Sequence, residues 1–190
     1  PKLPIPKHLK LKTSVSGAVR LYHTVGNGET RTSETGINIK SSHIYLPLIE
    51  KLQAEGLSVE LIAPSGVSNR ENLYYQLQSD IVLEMLTFGF FGANAREAMM
   101  LGKPVICFIR PEWLESLRLE LPEYANELPI VHATPDTVED ILRDLINNPK
   151  KRKEIGIKSR EFAIKWHSAK NAAKKFDEVY KSLLNNKGFI

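Results

Sequence analysis

The sequence predicts an α/β fold, in which a Rossmann-like, doubly wound parallel sheet carries helices on both faces and further helices follow at the C-terminal end. Two observations support this class. Segments with the residue preferences of strands alternate with segments of helical periodicity along the chain. The predicted strands are short, continuous apolar runs, which is typical of parallel strands that are buried on both faces. The length of 190 residues is sufficient for one such domain with a sizeable core.

Five strands are predicted from these apolar runs. They cover residues 17–25, 57–64, 80–85, 104–109 and 129–133. The first run is rich in Val, Leu and Tyr, which suit a pleated, buried surface. A long loop rich in Gly, Thr and Ser follows it, so the first crossover is expected to begin with an unusually polar connection.

Helices are predicted between the strands. They cover residues 39–56, 68–79, 95–102 and 134–149, and then the remainder of the chain to about residue 184. Gly56 is a C-terminal stop signal, Ser68 is an N-cap, and Thr134 is an N-cap with Pro135 at the first helical position. The buried face of the second helix is predicted to consist of Leu73, Tyr74 and Leu77.

Composition excludes several classes of protein. The sequence contains no apolar run of about 18 residues, which excludes a transmembrane helix, and its start lacks the apolar segment of a signal peptide. The only cysteine, Cys107, lies in an apolar run, which predicts a buried free thiol and a reducing, cytoplasmic environment. The five histidines are not spaced as metal ligands, so no metal site is expected.

The net charge of +4 comes mainly from basic residues in the C-terminal part of the chain. A basic run of this kind usually marks the solvated face of a helix, and an anionic membrane surface or a polyanion is the functional alternative. Aromatic residues do not alternate with these basic residues, which argues against nucleic-acid binding.

In a doubly wound sheet, ligands bind beyond the carboxyl ends of the strands, and two loops there are informative. The loop after the first strand contains several glycines and Arg31, and Lys40 stands at the start of the following helix. Glycine N–H groups, a helix N-terminus, Arg and Lys are together suited to a diphosphate. The spacing matches no standard phosphate-binding motif, so an ordinary surface loop remains the alternative.

The second informative segment is GFFGANAREAMMLGKPVI, residues 89–106. A helix that begins after Gly92 would direct its free N–H groups into the same crevice. Glu97 lies on the second turn of this helix, where a carboxylate can accept two hydrogen bonds from a vicinal diol such as that of ribose. The alternative is an ordinary solvent-facing glutamate.

The same segment resembles the donor-binding signature of family-4 glycosyltransferases, commonly E-G-F-G-x-x-x-x-E-A-M-A-x-G-x-P-V-I. Nine positions match this pattern: Phe91, Gly92, Glu97, Ala98, Met99, Gly102, Pro104, Val105 and Ile106. The segments before and after it are also similar to the C-terminal half of these enzymes, which consist of two Rossmann-like domains. The resemblance therefore extends over about residues 17–184.

The resemblance implies a role for each matching residue. Glu97 would bind the nucleotide ribose, and Arg31 and Lys40 would bind the diphosphate, with Arg20 as a weaker alternative to Arg31. The backbone of Gly92, Ala93 and Asn94 would lie against the donor sugar and its phosphates. Gly66 and Val67, in the loop after the second strand, would line the base.

One position departs from the signature. The first Glu of the family pair, which contacts the donor sugar, should stand eight positions before Glu97, where this chain has Gly89. Glu84 could replace it only if the loop turned back, so the donor sugar and the catalytic residues are left unassigned.

The resemblance implies that residues 16–190 form the nucleotide-sugar-binding domain and that residues 1–15 are the linker from a missing N-terminal domain. The whole enzyme would transfer a sugar from a UDP- or GDP-sugar to a glycan or lipid-linked acceptor, with retention and without a metal, in glycan or polysaccharide biosynthesis. The acceptor would be held mainly by the missing domain, and this chain alone would be inactive. A cytoplasmic location with peripheral membrane contact is expected. A non-catalytic nucleotide-sugar-binding module and a sugar-nucleotide epimerase remain alternatives.

Overall fold

The computed structural model describes residues 17–26, 33–34 and 37–185, and it contains a five-stranded sheet. The strands are β1 (Val19–Tyr22), β2 (Val59–Ile62), β3 (Ile81–Leu83), β4 (Val105–Cys107) and β5 (Val131–His132). Their order is β2-β1-β3-β4-β5, and every neighbouring pair is parallel. The predicted parallel sheet is thus confirmed. Strand β2 lies on one side of β1, and β3, β4 and β5 follow on the other side.

Helices connect the strands and continue to the end of the described chain. They are α1 (Ser42–Ala54), α2 (Asn69–Gln78), α3 (Ala93–Met100), α4 (Pro111–Glu120), α5 (Pro122–Glu127), α6 (Val138–Asn147), α7 (Pro149–His167) and α8 (Ala169–Asn185). The sequence did not predict α4 and α5. Neither helix has a fully buried residue. In α4 the partly buried Trp113, Leu114 and Leu117 share one helix face, a short apolar pattern that the sequence reading overlooked.

Two hydrophobic layers lie on opposite faces of the sheet. On β3, Ile81 and Leu83 belong to one layer and Val82 to the other, as the alternation of side chains in a strand requires. Helices α1 and α6 cover the first layer, and α3 and α7 cover the second. This arrangement confirms that the sheet is doubly wound and explains why the strands are continuously apolar.

Helix α6 begins three residues later than predicted. The backbone N–H of Thr134 donates to Oγ1 of Thr137 at 2.9 Å, and the N–H of Thr137 donates back to the Thr134 carbonyl at 3.2 Å. This closed turn occupies the place of a first helical turn. The N-cap is therefore Thr137 instead of Thr134, and the helix starts at Val138 instead of Pro135.

Helix α7 approaches α3 closely at a pair of glycines. Gly102 ends α3 with a φ of 74°, and a Cβ placed on Gly156 of α7 would lie 2.3 Å from the Gly102 carbonyl oxygen. Only glycine at position 156 permits this approach. The contact fixes the C-terminal helices against the helix that carries Glu97.

The described helices include none that is both long and apolar enough to span a bilayer. The predicted linker, residues 1–15, lies outside the described residues, and the domain boundary stays a prediction.

Candidate functional site

An open cleft of about 980 Å³ lies beyond the carboxyl ends of β1, β2 and β3. From β1 the chain first adds β2 on one side and then adds β3, β4 and β5 on the other. The topological switch point therefore lies between the neighbouring strands β1 and β3. Such a switch point leaves a crevice because the crossover helices on its two sides lie on opposite faces. The cleft therefore occupies the position at which folds of this topology bind ligands.

The cleft brings together seven of the eight predicted site residues. They are Lys40, Gly66, Val67, Gly92, Ala93, Asn94 and Glu97. The eighth, Arg31, lies outside the described residues. Residues from three separate connections thus meet as the sequence predicted, although what they bind stays a prediction.

The N-terminus of α3 opens onto the cleft. Gly92 is the N-cap in an extended conformation, and no described side chain caps the helix. The first N–H groups of a helix have no partner within the helix. At α3, the backbone of Ala93 and Asn94 is therefore available to an anionic or carbonyl oxygen in the cleft.

Glu97 lies one turn further along α3 and is half-buried. The side-chain amide of Asn69, at the start of α2, donates to Glu97 Oε1 at 3.0 Å. This bond orients a carboxylate that lines the cleft, and an ionised carboxylate accepts hydrogen bonds but donates none. The arrangement suits a ligand that offers hydroxyl donors.

Lys40 lines the cleft, but its ammonium group is directed beneath the floor. Its Nζ donates to both carboxylate oxygens of Glu84 at 2.6 Å, and the side chains are 7% and 0% exposed. Glu84 therefore points into the protein and does not turn towards the cleft. The substitute role considered for Glu84 at the donor sugar does not fit this placement.

Asn94 belongs to a partly buried polar network at the floor of the cleft. Its Nδ2 donates to Glu84 Oε1 at 2.8 Å, and its Oδ1 accepts from Gln76 Nε2 at 2.6 Å and from Asn72 Nδ2 at 3.4 Å. The hydroxyl of Tyr22 donates to Asn72 Oδ1, and burial raises the Tyr22 pKa well above its usual value, so this hydroxyl stays protonated. With its amide engaged, Asn94 presents its backbone to a ligand.

Gly89, which stands in place of the first Glu of the family pair, cannot readily carry a side chain. Its φ is 103°, and a Cβ there would lie 2.9 Å from Nε and 3.0 Å from Cβ of Arg110. Arg110 is fixed by two hydrogen bonds, from its N–H to the Gly89 carbonyl at 2.7 Å and from Nη2 to the Phe88 carbonyl at 2.9 Å. Backbone conformation and packing both require glycine here.

Arg20, the weaker alternative to Arg31, and the buried His23 are not part of the cleft lining. His23 is buried, and its ring nitrogens contact the Leu83 carbonyl at 3.3 Å and Ser42 Oγ at 2.6 Å. Burial lowers the His23 pKa, so the ring is neutral and accepts from the Ser42 hydroxyl while it donates to Leu83. Arg20 lies on β1 with its Nε 3.5 Å from Glu60, away from the cleft.

Sequence reasoning missed the polar stripe on α2. Asn69, Asn72 and Gln76 follow the helical spacing i, i+3, i+7, and all three bond to Asn94 or Glu97 of α3. The spacing itself was a usable signal, because residues at this spacing share one face of a helix. It was overlooked because a helix face is normally recognised from apolar residues.

The described residues contain no group of three or more potential metal ligands. The expected independence from metal stays a prediction. Cys107 is a buried free thiol, as predicted, and burial raises its pKa.

No protein-family model and no curated protein sequence matches the chain. Solved structures do match it, and one is the C-terminal CMP-Kdo binding domain of WaaA from Acinetobacter baumannii. That similarity has 10% sequence identity and a TM-score of 0.46, and it covers 77% of this chain and 90% of that domain. At these values it carries no conclusion about function.

Proposed function

We propose that the chain is the donor-binding half of a glycosyltransferase that uses a nucleotide-diphosphate sugar. One observation carries the proposal: the 66–67 loop, the N-terminus of α3 and Glu97 converge on one cleft at the switch point of the sheet. A nucleotide needs a partner for phosphate, a partner for the ribose diol and a surface for the base. The three parts of the cleft are chemically suited to these three tasks.

The phosphates would lie at the N-terminus of α3, where backbone N–H groups and the helix dipole favour negative charge. The ribose would lie beside Glu97, whose carboxylate accepts hydrogen bonds from its hydroxyl groups. Gly66 and Val67 would lie beside the base, since they line the part of the cleft that follows β2. Phosphate contacts from Lys40 and Arg31 remain part of the proposal.

The whole enzyme would transfer the sugar with retention, without a metal, in glycan or polysaccharide biosynthesis. The acceptor would be held by a second domain, since a transfer reaction needs both substrates in near-attack geometry. The described sheet forms one nucleotide-sized cleft, so the 190-residue chain alone should form no glycosidic product. A cytoplasmic location with peripheral membrane contact belongs to the same proposal.

Titration calorimetry of the 190-residue chain with UDP, GDP, UMP and uridine tests the proposal. Charged hydrogen bonds contribute about 1.5–3 kcal/mol each, so a diphosphate should bind much more tightly than the free nucleoside. Equal affinities for uridine and UDP would mean that the phosphate assignment is wrong. Absence of binding by all four compounds would overturn the nucleotide assignment.

A second candidate, a non-catalytic nucleotide-sugar-binding module, is favoured by Gly89. The position that carries the donor-sugar Glu in the similar family has a backbone that excludes a side chain. Donor hydrolysis by the full-length protein separates the two candidates, because a pure binding module would release no free nucleotide. An epimerase is less well supported, since Glu84 is buried in an ion pair and only Glu97 of the two glutamates reaches the cleft.

A further inference from the structure

The ammonium group of Lys40 forms a buried ion pair with the carboxylate of Glu84 beneath the floor of the cleft. Both oxygens of Glu84 accept from Lys40 Nζ at 2.6 Å, and the Glu84 side chain is completely buried. An ammonium group has three N–H donors. The ion pair uses two of them beneath the floor, so Lys40, which also lines the cleft, acts on a bound phosphate mainly through its charge.

The same carboxylate also positions the helix that opens onto the cleft. Glu84 Oε1 accepts from Asn94 Nδ2 at 2.8 Å, and Asn94 is the second residue of α3. Glu84 itself follows β3 directly. One buried group thus joins the end of a central strand, the segment before α1 and the N-terminus of α3.

The electrostatic consequence concerns the affinity for phosphate. A buried ion pair is neutral as a whole, and at low dielectric the carboxylate opposes much of the attraction that Lys40 alone would exert on a phosphate. Glu97 adds a negative charge at the cleft wall. We infer that Glu84 is a positioning residue that limits the affinity of the cleft for phosphate, because it neutralises Lys40 while it holds Asn94 in place. The inference rests on the proposed function, since it concerns the same cleft.

The test is the Glu84→Gln variant, titrated with inorganic pyrophosphate. Glutamine keeps the shape of the side chain and an oxygen that accepts from Asn94, but it removes the charge that opposes Lys40. Pyrophosphate should bind about tenfold more tightly than to the wild type, and its affinity should depend more steeply on salt between about 50 and 200 mM. A purely structural role of Glu84 would weaken binding or leave it unchanged.

Two further variants serve as controls. Glu60→Gln removes one negative charge from the ion pair with Arg20 on the neighbouring strands, away from the cleft, and should leave the pyrophosphate affinity unchanged. The double variant Lys40→Met with Glu84→Gln removes both buried charges. It should recover part of the stability that Glu84→Gln loses by leaving a buried lysine uncompensated. Because it removes a pair that is neutral as a whole, it should bind pyrophosphate about as tightly as the wild type.

The inference is overturned if Glu84→Gln binds pyrophosphate no more tightly than the wild type, or if Glu60→Gln gains as much. Should Glu84→Gln fail to fold, the folded double variant decides. Pyrophosphate binding close to that of the wild type supports the inference, and clearly weaker binding, which would show that Lys40 attracts phosphate in spite of Glu84, overturns it. Parallel titrations with UDP and uridine keep the two proposals apart. If Glu84→Gln binds pyrophosphate more tightly but the protein binds neither UDP nor uridine in preference to pyrophosphate, the inference stands and the nucleotide assignment is wrong. If the protein binds UDP as proposed but Glu84→Gln has no effect on pyrophosphate binding, the nucleotide assignment stands and the inference is wrong.

Discussion

A glutamate at position 89, where the similar glycosyltransferase signature has one, should destabilise this protein. Gly89 has a φ of 103°, a conformation that L side chains rarely adopt, and its hypothetical Cβ overlaps the Arg110 side chain at 2.9–3.0 Å. Arg110 cannot easily move away, since its N–H and its guanidinium bond to the carbonyls of Gly89 and Phe88. A side chain at position 89 therefore meets both backbone strain and a steric conflict.

The two effects can be estimated separately. A residue held in a sparsely populated backbone region costs about 1–3 kcal/mol. Overpacking of a well-packed site typically costs about 1–3 kcal/mol more. Gly89→Ala and Gly89→Glu should therefore each lower the free energy of unfolding by about 2–6 kcal/mol. A change of 1 kcal/mol shifts the Tm of a chain of this size by about 2–4 °C.

Urea unfolding followed by circular dichroism measures the effect. Gly66→Ala is the matched control, because Gly66 has a φ of 65° but nothing within 4 Å of a Cβ, so this variant reports backbone strain alone. Combining Gly89→Ala with Arg110→Ala removes the overlap and should recover part of the loss. The reasoning is refuted if Gly89→Glu is as stable as the wild type, or if it unfolds no more easily than Gly66→Ala.

Three further predictions follow from the site and its supports. Glu97→Ala should weaken UDP binding by about 1–3 kcal/mol in calorimetry with an unchanged Tm; a sharp fall in Tm with unchanged affinity would make Glu97 structural. Gly156→Ala should lower the unfolding free energy by about 2 kcal/mol, since overlap with the Gly102 carbonyl outweighs a helix-propensity gain of about 1 kcal/mol; equal or higher stability in urea would contradict the close approach of the helices. The lowered pKa of His23 means that the unfolded chain binds more protons than the folded one, so stability should fall as the pH drops below about 6.5. Urea unfolding at several pH values checks this, and His23→Gln, but not the exposed His43→Gln, should reduce the slope.

Local patterns in the sequence were sufficient to predict the fold class and many of the residues that line the cleft. The alternation of strand and helix segments gave the order of the strands along the chain, and Ser68 forms with Glu71 a complete capping box at α2. Gly92 and Glu97 were recognised from spacing, and both line the cleft. These features depend on residues that are neighbours in sequence, so the signal is present before the chain folds.

Hydrophobic periodicity alone wrongly predicted which residues of α2 are buried, because burial on this helix depends on contacts with another helix. Leu77 was expected to be buried on α2, but it is 51% exposed, whereas Gln76 is fully buried. The Gln76 Nε2 donates to Asn94 Oδ1 on α3 at 2.6 Å, which offsets part of the cost of burying this amide, whereas its buried Oε1 has no hydrogen-bond partner among the described residues. The spacing of Asn69, Asn72 and Gln76 marks a polar face of α2, but it does not identify the helix on which the partners of that face lie.

The sequence by itself determined the α/β class, the starts of α2 and α3 and seven of the residues that meet at the switch point. Only the tertiary structure decided that Lys40 pairs with Glu84, 44 residues away, and that Gly89 is packed against Arg110. Both contacts arise because the order of strands in the sheet places the ends of β1, β3 and β4 side by side. Local propensity sets how each segment folds, but the partner of a buried charge depends on which segments the sheet brings together.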